Sequence, residues 1–402
     1  MMLTLAHLPI DLITDILSRL PAKTVVCLKI VCKSWCNLIS DDYFVNYRLE
    51  QSLATKSNLH YVVTVPRFYL QEYDHLPEPR EQTCPVHYSA DFDSLGNLRE
   101  LSHPFKDCKT GTRVFGSCRG LLLLHVTDGP LLLYNPTTQT YNVLPGLPVY
   151  QDARAYGHLS YGFGYDNATR DFKCVKIMQR LFKEIGYLTC EVMVYSLRTN
   201  CWKRVPDVPC YFRSCDWGVG VLVHETLHWV GTNSDGLYEF IVAFNLRDEA
   251  FSCRPLPNFH FEPFEGLYVG MLDGCLCLLA NRYPHCNVWV MKEYGVGGSW
   301  TKMFILDTLD CLIVERPVSY SLDKKRLLVK MALFKLAYHD LETKEHTDLR
   351  FADWDTCLNA HVYVENLLML DYTEFADDIH IRKKRGKEEE LEEEKEEGLK
   401  LI

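Results

Sequence analysis

One change of periodicity, near Gln51, constrains this chain more than any single motif in it. Before it, apolar residues recur at helical spacing. After it come short apolar or alternating runs: Tyr61 to Val65, Leu121 to His125, Leu131 to Asn135, Cys174 to Met178, Glu191 to Leu197, Gly218 to His224, His228 to Gly231, Ile241 to Leu246, Gly274 to Ala280, Asn287 to Glu293 and Arg326 to Leu333. They have strand length and are rich in β-branched and aromatic residues, which suit a pleated, half-buried surface. Asp128-Gly129, Asp235-Gly236 and Asp273-Gly274 supply turns between them, because Asp and Gly tolerate positive φ. A parallel sheet would need helical crossovers of about a dozen residues between its strands. None stands between these runs, which argues against a parallel βαβ sheet.

The strands carry a weak repeat. Leu133-Tyr134-Asn135-Pro136-Thr137-Thr138-Gln139-Thr140 leads into Leu144-Pro145. Val194-Tyr195-Ser196-Leu197-Arg198-Thr199-Asn200-Cys201-Trp202 leads into Val205-Pro206, and Ile241 to Leu246 leads into Leu256-Pro257. Leu336 to Lys344 repeats the strand and polar turn once more. The steps between these Pro corners, about 50 to 60 residues, approach the period of kelch-like propeller blades. Six to eight such blades fit the length available. A four-stranded blade cannot cover both its faces alone, whereas neighbours in a closed ring can. A pair of β-sandwiches is the alternative. Gly162, Gly164 and the Gly295 to Gly298 run lack the strand-turn-helix setting that cradles phosphate and are read as bends and strand-edge glycines.

Composition agrees with a folded chain: 47% of the 402 residues are apolar and 24% charged. With 43 Lys and Arg against 53 Asp and Glu, the net charge is −10, which argues against a broad nucleic-acid-binding surface. Met1 to Leu8 does not read as a secretory signal, and no uninterrupted apolar run is long enough to span a membrane. The 17 cysteines are therefore expected to be reduced and to act as small apolar residues. Neither Cys32 and Cys36 nor Cys275 and Cys277 has the partners that a zinc site needs. Catalytic motifs such as Gly-x-Ser-x-Gly, the P-loop and His-Glu-x-x-His are missing. His228 and Trp229 are read as core. No enzyme activity, cofactor or metal is expected, although a propeller enzyme is not excluded by fold alone.

The first fifty residues form a small helical module. Pro9 and Asp11 suit a helix start. Leu12, Ile13, Ile16, Leu17 and Leu20 line one face, and Pro21 ends it. A second helix, with Thr24 as its expected cap, carries Val25, Leu28, Val31 and Cys32 and is expected to break near Lys29. Trp35, Leu38 and Ile39 continue the pattern. Ser40-Asp41-Asp42 marks a turn or cap before a short helix holding Tyr43, Phe44 and Tyr47. So small a module cannot bury all this apolar surface by itself. The surplus faces either the rest of the chain or a partner.

The order Leu8-Pro9, Ile16-Leu17, Leu20-Pro21-Ala22-Lys23, Val31-Cys32-Lys33-Ser34-Trp35, Leu38-Ile39-Ser40-Asp41, Phe44 closely resembles an F-box. The resemblance implies a three-helix hook that binds a Skp-type adaptor, and through it a cullin and a RING subunit. It marks Leu8, Pro9, Ile16, Leu17, Leu20, Pro21, Leu28, Val31, Cys32 and Trp35 as adaptor-facing or hook-core residues, with the two roles not separated. Arg19, Lys23, Lys29 and Lys33 are either solvated helix faces or a rim that an acidic adaptor would steer against. Further on, Ser117-Cys118-Arg119-Gly120-Leu121-Leu122, Tyr161-Gly162-Phe163-Gly164-Tyr165-Asp166, Leu227-His228-Trp229 and Phe244-Asn245-Leu246 resemble the F-box-associated region of plant F-box proteins.

The expected organisation is a small all-α F-box module over 1–50, a linker and first propeller strands over 51–110, an all-β kelch-like propeller over 111–380, and a charged, disordered tail over 381–402. The basic run Arg382 to Lys387 in that tail matches an import signal or a solvated segment. The resemblance implies a substrate-recognition subunit of a Skp–cullin–F-box ubiquitin ligase, working in nucleus or cytoplasm on a target protein that the sequence does not name. It implies no nucleic-acid or membrane partner. The alternative is a protein that uses the hook to sequester the adaptor outside a ligase. Phe68, Tyr69, Tyr211, Phe212, Phe261 and Tyr283, on loops with mixed aromatic and charged residues, are the candidate target anchors.

Overall fold

A computed structural model describes residues 8–370, apart from 72–79, 93–94, 96, 104, 106–110, 128, 147–154, 183–186, 209, 213–217, 234–238, 259–265, 308–312, 350–356 and 358. Side chains are also left aside at 67–71, 80–84, 155–157, 181–182, 187–188 and 211. The tail at 381–402 and the turns Asp128-Gly129 and Asp235-Gly236 lie wholly or partly outside the described residues.

Four helices open the chain: α1 (Ile10–Ser18), α2 (Ala22–Leu28), α3 (Lys33–Ser40) and α4 (Asp42–Thr55). Pro9 and Pro21 each stand just before a helix, where a missing N–H costs nothing. The Pro9 carbonyl accepts from Leu12 and Ile13, and that of Pro21 from Val25. Helix α2 thus begins before Thr24, which does not cap it. Tight i to i−3 bonds from Lys29, Ile30 and Val31 close α2, and Cys32 is extended. This is the break expected near Lys29. The Asp41 carboxylate caps α4 by accepting from the Tyr43 N–H at 2.8 Å. That helix is longer than the apolar pattern suggested. It ends at Lys56, which is left-handed with φ 52°.

Six sheets follow. The first joins β25 (Asn359–Val364), β1 (Leu59–Gln71), β2 (Arg80–Asp91) and β3 (Arg99–Glu100) in that order. The second is β4 (Thr112–Cys118), β5 (Leu121–Val126), β6 (Leu131–Asn135) and β7 (Thr140–Val143). The third is β8 (Ala155–Asp166), β9 (Asp171–Phe182), β10 (Tyr187–Ser196) and β11 (Cys201–Val205). The fourth splits its inner strand into β12 (Tyr211–Phe212) and β13 (Val221–Val223), both paired with β14 (Thr226–Thr232), followed by β15 (Glu239–Asn245) and β16 (Ala250–Arg254). The fifth is β17 (Gly266–Leu272), β18 (Cys275–Arg282), β19 (His285–Met291) and β20 (Trp300–Asp307). The sixth is β21 (Val314–Tyr320), β22 (Arg326–Met331), β23 (Lys335–Asp340) and β24 (His346–Asp348).

All pairings within the sheets are antiparallel, and neighbouring inner strands touch around a full circle, β25 to β4, β8, β13, β17, β21 and back to β25. Six apolar cores, one between each pair of neighbouring sheets, fill the ring. The molecule is a six-bladed β-propeller, and the β-sandwich alternative falls. The C-terminal β25 supplies the inner strand of the blade whose outer strands come from the start of the ring, so both chain ends close it.

The weak repeat has a local cause. Asn135, Asp166, Asn245 and Asp340 each accept, through one side-chain oxygen, from backbone N–H groups two or three residues on. Each such turn ends on a left-handed residue: Gln139, Arg170, Glu249 or Lys344. Prolines at or beside the Pro corners also have partners. Trp202 and Trp300 donate their indole N–H to the carbonyls of Pro145 and Pro255 on the preceding blade. Gly162 and Gly164 are interior to β8 rather than bends. A Cβ there would come within 2.5 Å of Leu227 and Leu246 respectively, so these glycines let the next blade approach.

Candidate functional site

The helical module sits at one end of the ring, and a buried ion pair holds it there. Arg48 of α4 is 1% exposed. Its Nη2 donates to Glu365 Oε2 at 2.8 Å and to the Leu20 carbonyl at 3.0 Å, while Nη1 donates to the Glu365 carbonyl at 3.2 Å. Glu365 Oε2 also accepts from the Ala22 N–H at 2.7 Å, capping α2 from the far end of the sequence. Burial pushes the Glu365 carboxyl up. His60, the Ala22 N–H and Arg48 outweigh this and hold it below its ordinary value. Leu367 enters the helical core beside Ile13, Leu17, Val25, Ile39 and Phe44. Lys56 to Asp273 at 2.8 Å and Arg119 to Glu50 add contacts at the rim.

This arrangement sorts the motif residues into buried and exposed ones. Leu17 is hook core. Leu20, Leu28 and Trp35 are half-buried against that core. Leu8, Pro9, Ile16, Pro21, Val31 and Cys32 are exposed. Ile10, Leu12, Val26 and Ile30 join them, with Ile30 89% exposed, and were not singled out by the motif. Of the 18 large apolar side chains that are exposed among the described residues, 9 lie between Leu8 and Leu53, so the apolar surplus is concentrated on this module. Lys23, Lys29 and Lys33 have no ion-pair partner among the described residues. Arg19 is engaged by Asp15 at 3.0 Å.

The strand directions define a second, opposite surface. Inner strands β4, β13, β17, β21 and β25 all run toward the helical module, so the β18–β19 and β22–β23 turns lie at the far end. The backbones of Phe68, Tyr69, Tyr211 and Phe212, and Tyr283, fall on or near that distal end. The side chains of Phe68, Tyr69 and Tyr211, and all of Phe261, lie outside the described residues. Tyr283 is 53% exposed at the β18–β19 turn. Phe212 is a correction: it is 7% exposed and packs on Trp229 with ring centroids 5.6 Å apart, in the core between the third and fourth blades.

Leu333 and Phe334 were missed, because the apolar run Arg326 to Leu333 reads as continuous strand. Strand β22 instead ends at Met331, and the two residues form the distal turn. Both have positive φ, 56° and 60°, and they are 71% and 49% exposed. Two consecutive left-handed positions favour Asn-Gly, not bulky apolar residues. The cost is not repaid by burial.

His228 is fully buried, with Nδ1 to the Val221 carbonyl and Nε2 to the Tyr294 hydroxyl, and burial pulls it down to about 4. Among the described residues no group of three or more His, Cys, Asp or Glu could hold a metal ion. The described cysteines are free thiols, with Cys118 pushed up to about 12 by burial.

The Arg48–Glu365 pair thus clamps a helical hook to one end of a closed six-bladed propeller. The family comparisons agree. Residues 5–47 match the F-box domain and residues 94–347 the F-box associated beta propeller domain. The chain is 34% identical over 389 residues to the F-box protein CPR1 of Arabidopsis thaliana, covering 91% of this chain and 89% of that one. It is 29% identical to the Arabidopsis F-box protein At4g22390, covering 91% of each. The Arabidopsis F-box/kelch-repeat protein At3g23880 matches at 29%, over 75% of this chain and 80% of that one. The chain belongs to the F-box proteins that carry an F-box-associated β-propeller.

Proposed function

We propose that this protein is the substrate-recognition subunit of a Skp–cullin–F-box ubiquitin ligase. The exposed apolar residues of the hook, from Leu8 to Val31, dock a Skp-type adaptor, and through it a cullin and a RING subunit. The unpaired Lys23, Lys29 and Lys33 steer an acidic adaptor surface and raise the rate of association. The distal face, with Tyr283, Leu333 and Phe334, captures a target protein. The receptor performs no covalent step. It holds target lysines near the conjugating enzyme and so raises their effective concentration. This reading carries with it action in the nucleus or cytoplasm.

The single observation behind it is the concentration of exposed apolar side chains on a hook that Arg48 and Glu365 fix to the propeller. The test compares the full-length chain with Ile30→Glu and Val31→Glu. Both side chains are exposed, so the hook should keep its helical circular dichroism. Adaptor capture should fall at least about tenfold, a loss of about 1.4 kcal/mol. Partners of the propeller should be retained. Unchanged adaptor capture overturns the docking assignment. Adaptor capture without chain-dependent ubiquitylation of any retained partner overturns the ligase assignment in favour of sequestration.

A further inference from the structure

A cavity of about 570 Å³ lies along the propeller axis at the hook end. That is within the usual range for small-molecule sites, which favour domain junctions. Its wall is built from the inner strands and completed by the hook, since Leu53 and Lys56 of α4 line it together with Met271, Val318 and Val362. Gly116 and Gly220 also line it, and both let neighbouring strands pack closely. A Cβ at Gly220 would meet Trp229 at 2.5 Å and one at Gly116 would meet Phe163 at 3.0 Å. The wall is mostly apolar, so the cavity favours an apolar body.

Its charged lining has one sign in excess. Among the described residues, Lys56, Lys324 and Arg316 line it against one acid, Asp273. Asp273 sits between both lysines, with Oδ1 to Lys56 at 2.8 Å and Oδ2 to Lys324 at 2.7 Å. Arg316 donates to the Asn359 side chain and to the Ala360 carbonyl. His361 also lines the cavity. It is 8% exposed, its Nε2 has no hydrogen-bond partner, and burial and the nearby Arg316 hold it neutral. In a chain of net charge −10, this cationic cluster at the mouth of the cavity is a local inversion of charge.

We propose that this cavity binds a small amphiphilic anion, its apolar body among the inner strands and its carboxylate or sulfonate toward Lys56, Lys324 and Arg316. Because α4 forms part of the wall, such a ligand contacts hook and propeller together. The inference does not rest on the receptor reading, and its test includes neither adaptor nor target.

The probe is anilinonaphthalenesulfonate, followed by fluorescence on the full-length chain, with decanoate, decanol and decyltrimethylammonium as competitors. Binding should saturate at one site per chain. Decanoate should compete at least about tenfold better than decanol or decyltrimethylammonium, a gap of about 1.4 kcal/mol. Met271→Trp, which fills the mouth, should weaken probe binding by a similar factor. Lys324→Glu, on an exposed turn, should lower decanoate affinity and leave decanol unchanged. Thermal melts confirm that both variants fold, and Lys56→Glu replaces either one that does not. Absence of saturable binding overturns the proposal. So does binding that Met271→Trp and the lysine reversals leave untouched, because the probe then sits on another apolar surface.

Discussion

Replacing Glu365 by Gln should loosen the hook without disturbing the ring. The substitution keeps the size of the side chain and leaves an amide oxygen to accept from the Ala22 N–H, so the cap on α2 survives. It removes the charge opposite Arg48. Two unit charges about 4 Å apart attract by about 4 kcal/mol at an effective dielectric of about 20. The Arg48 guanidinium is 1% exposed, and water does not replace the lost partner. Its bonds to the Leu20 and Glu365 carbonyls remain. Removing one member of a buried pair costs about 3 to 5 kcal/mol, and the surviving bonds place this case near the lower figure. About 3 kcal/mol raises the open population of the hook by roughly a hundredfold.

Native-state hydrogen exchange reads this directly. Amides of α2 and α4 should lose protection by roughly that factor, while those of β5 and β6 in the ring keep theirs. Arg48→Met combined with Glu365→Leu should recover much of the loss, because an apolar pair of similar volume avoids the uncompensated charge. If protection of α4 in Glu365→Gln stays within about threefold of the parent, less than about 0.7 kcal/mol, the ion pair does not hold the hook and the reasoning is wrong.

Acid should weaken the ring before it weakens the hook. His87 is buried between Thr64 and Thr112, with burial and the neighbouring His103 pulling it down to about 3, and His228 is pulled down to about 4. Below the unfolded value of 6.5 the unfolded chain binds protons that the native chain does not. Each of these histidines therefore costs about 1.4 kcal/mol per pH unit until its folded value is reached. Glu365 is also lowered, but from 4.5, so its contribution is present above that value and is lost only as pH falls below it. Chemical denaturation between pH 7 and 5 should thus show declining ring stability with hook exchange unchanged, and a flat profile would refute the assignment of neutral buried histidines. Leu333→Asn with Phe334→Gly should raise the melting midpoint, by about 1 to 2 kcal/mol of relieved strain, while weakening capture of propeller partners; a lower midpoint would show that the apolar turn is structural. A chain ending at residue 358, without β25 and Glu365, should lose hook protection even though residues 8–55 are intact, and normal exchange in α4 would count against coupling of ring and hook.

Much of this fold was legible because its signals are local. The Asx turns after Tyr134 and Phe244 need only one side chain and the next few amides, so the repeat shows in sequence. The hook could be read from proline positions and helical spacing for the same reason. Thr24 misled because cap preference competes with Pro21, which sets the helix start three residues earlier. Phe212 misled because an aromatic residue beside charged loop residues looks the same whether it faces solvent or packs on Trp229. Leu333 and Phe334 were hidden by their own hydrophobicity, which extends a strand pattern through a turn. The Arg48–Glu365 pair spans most of the chain, and no spacing rule links residues so far apart.

That long-range pair also explains why the hook belongs to the ring rather than merely preceding it. Strand β25 completes the first blade by pairing with β1, and the Glu365 N–H then donates to the Asn58 carbonyl at 2.9 Å. The next residues thread between hook and second blade: Asn366 donates to the Arg119 carbonyl, Asn135 donates to the Asn366 and Leu368 carbonyls, and Leu367 fills the hook core. Every one of these contacts requires β25 to be in place. A ring that has not closed therefore cannot supply the counter-ion for Arg48, the cap for α2 or the apolar side chain for the helical core. A module of fewer than about sixty residues is marginal by itself, so its exposed apolar surface is presented in fixed form only by a chain whose propeller is complete. Closure of the ring thereby sets the direction in which the distal face points relative to whatever the hook holds.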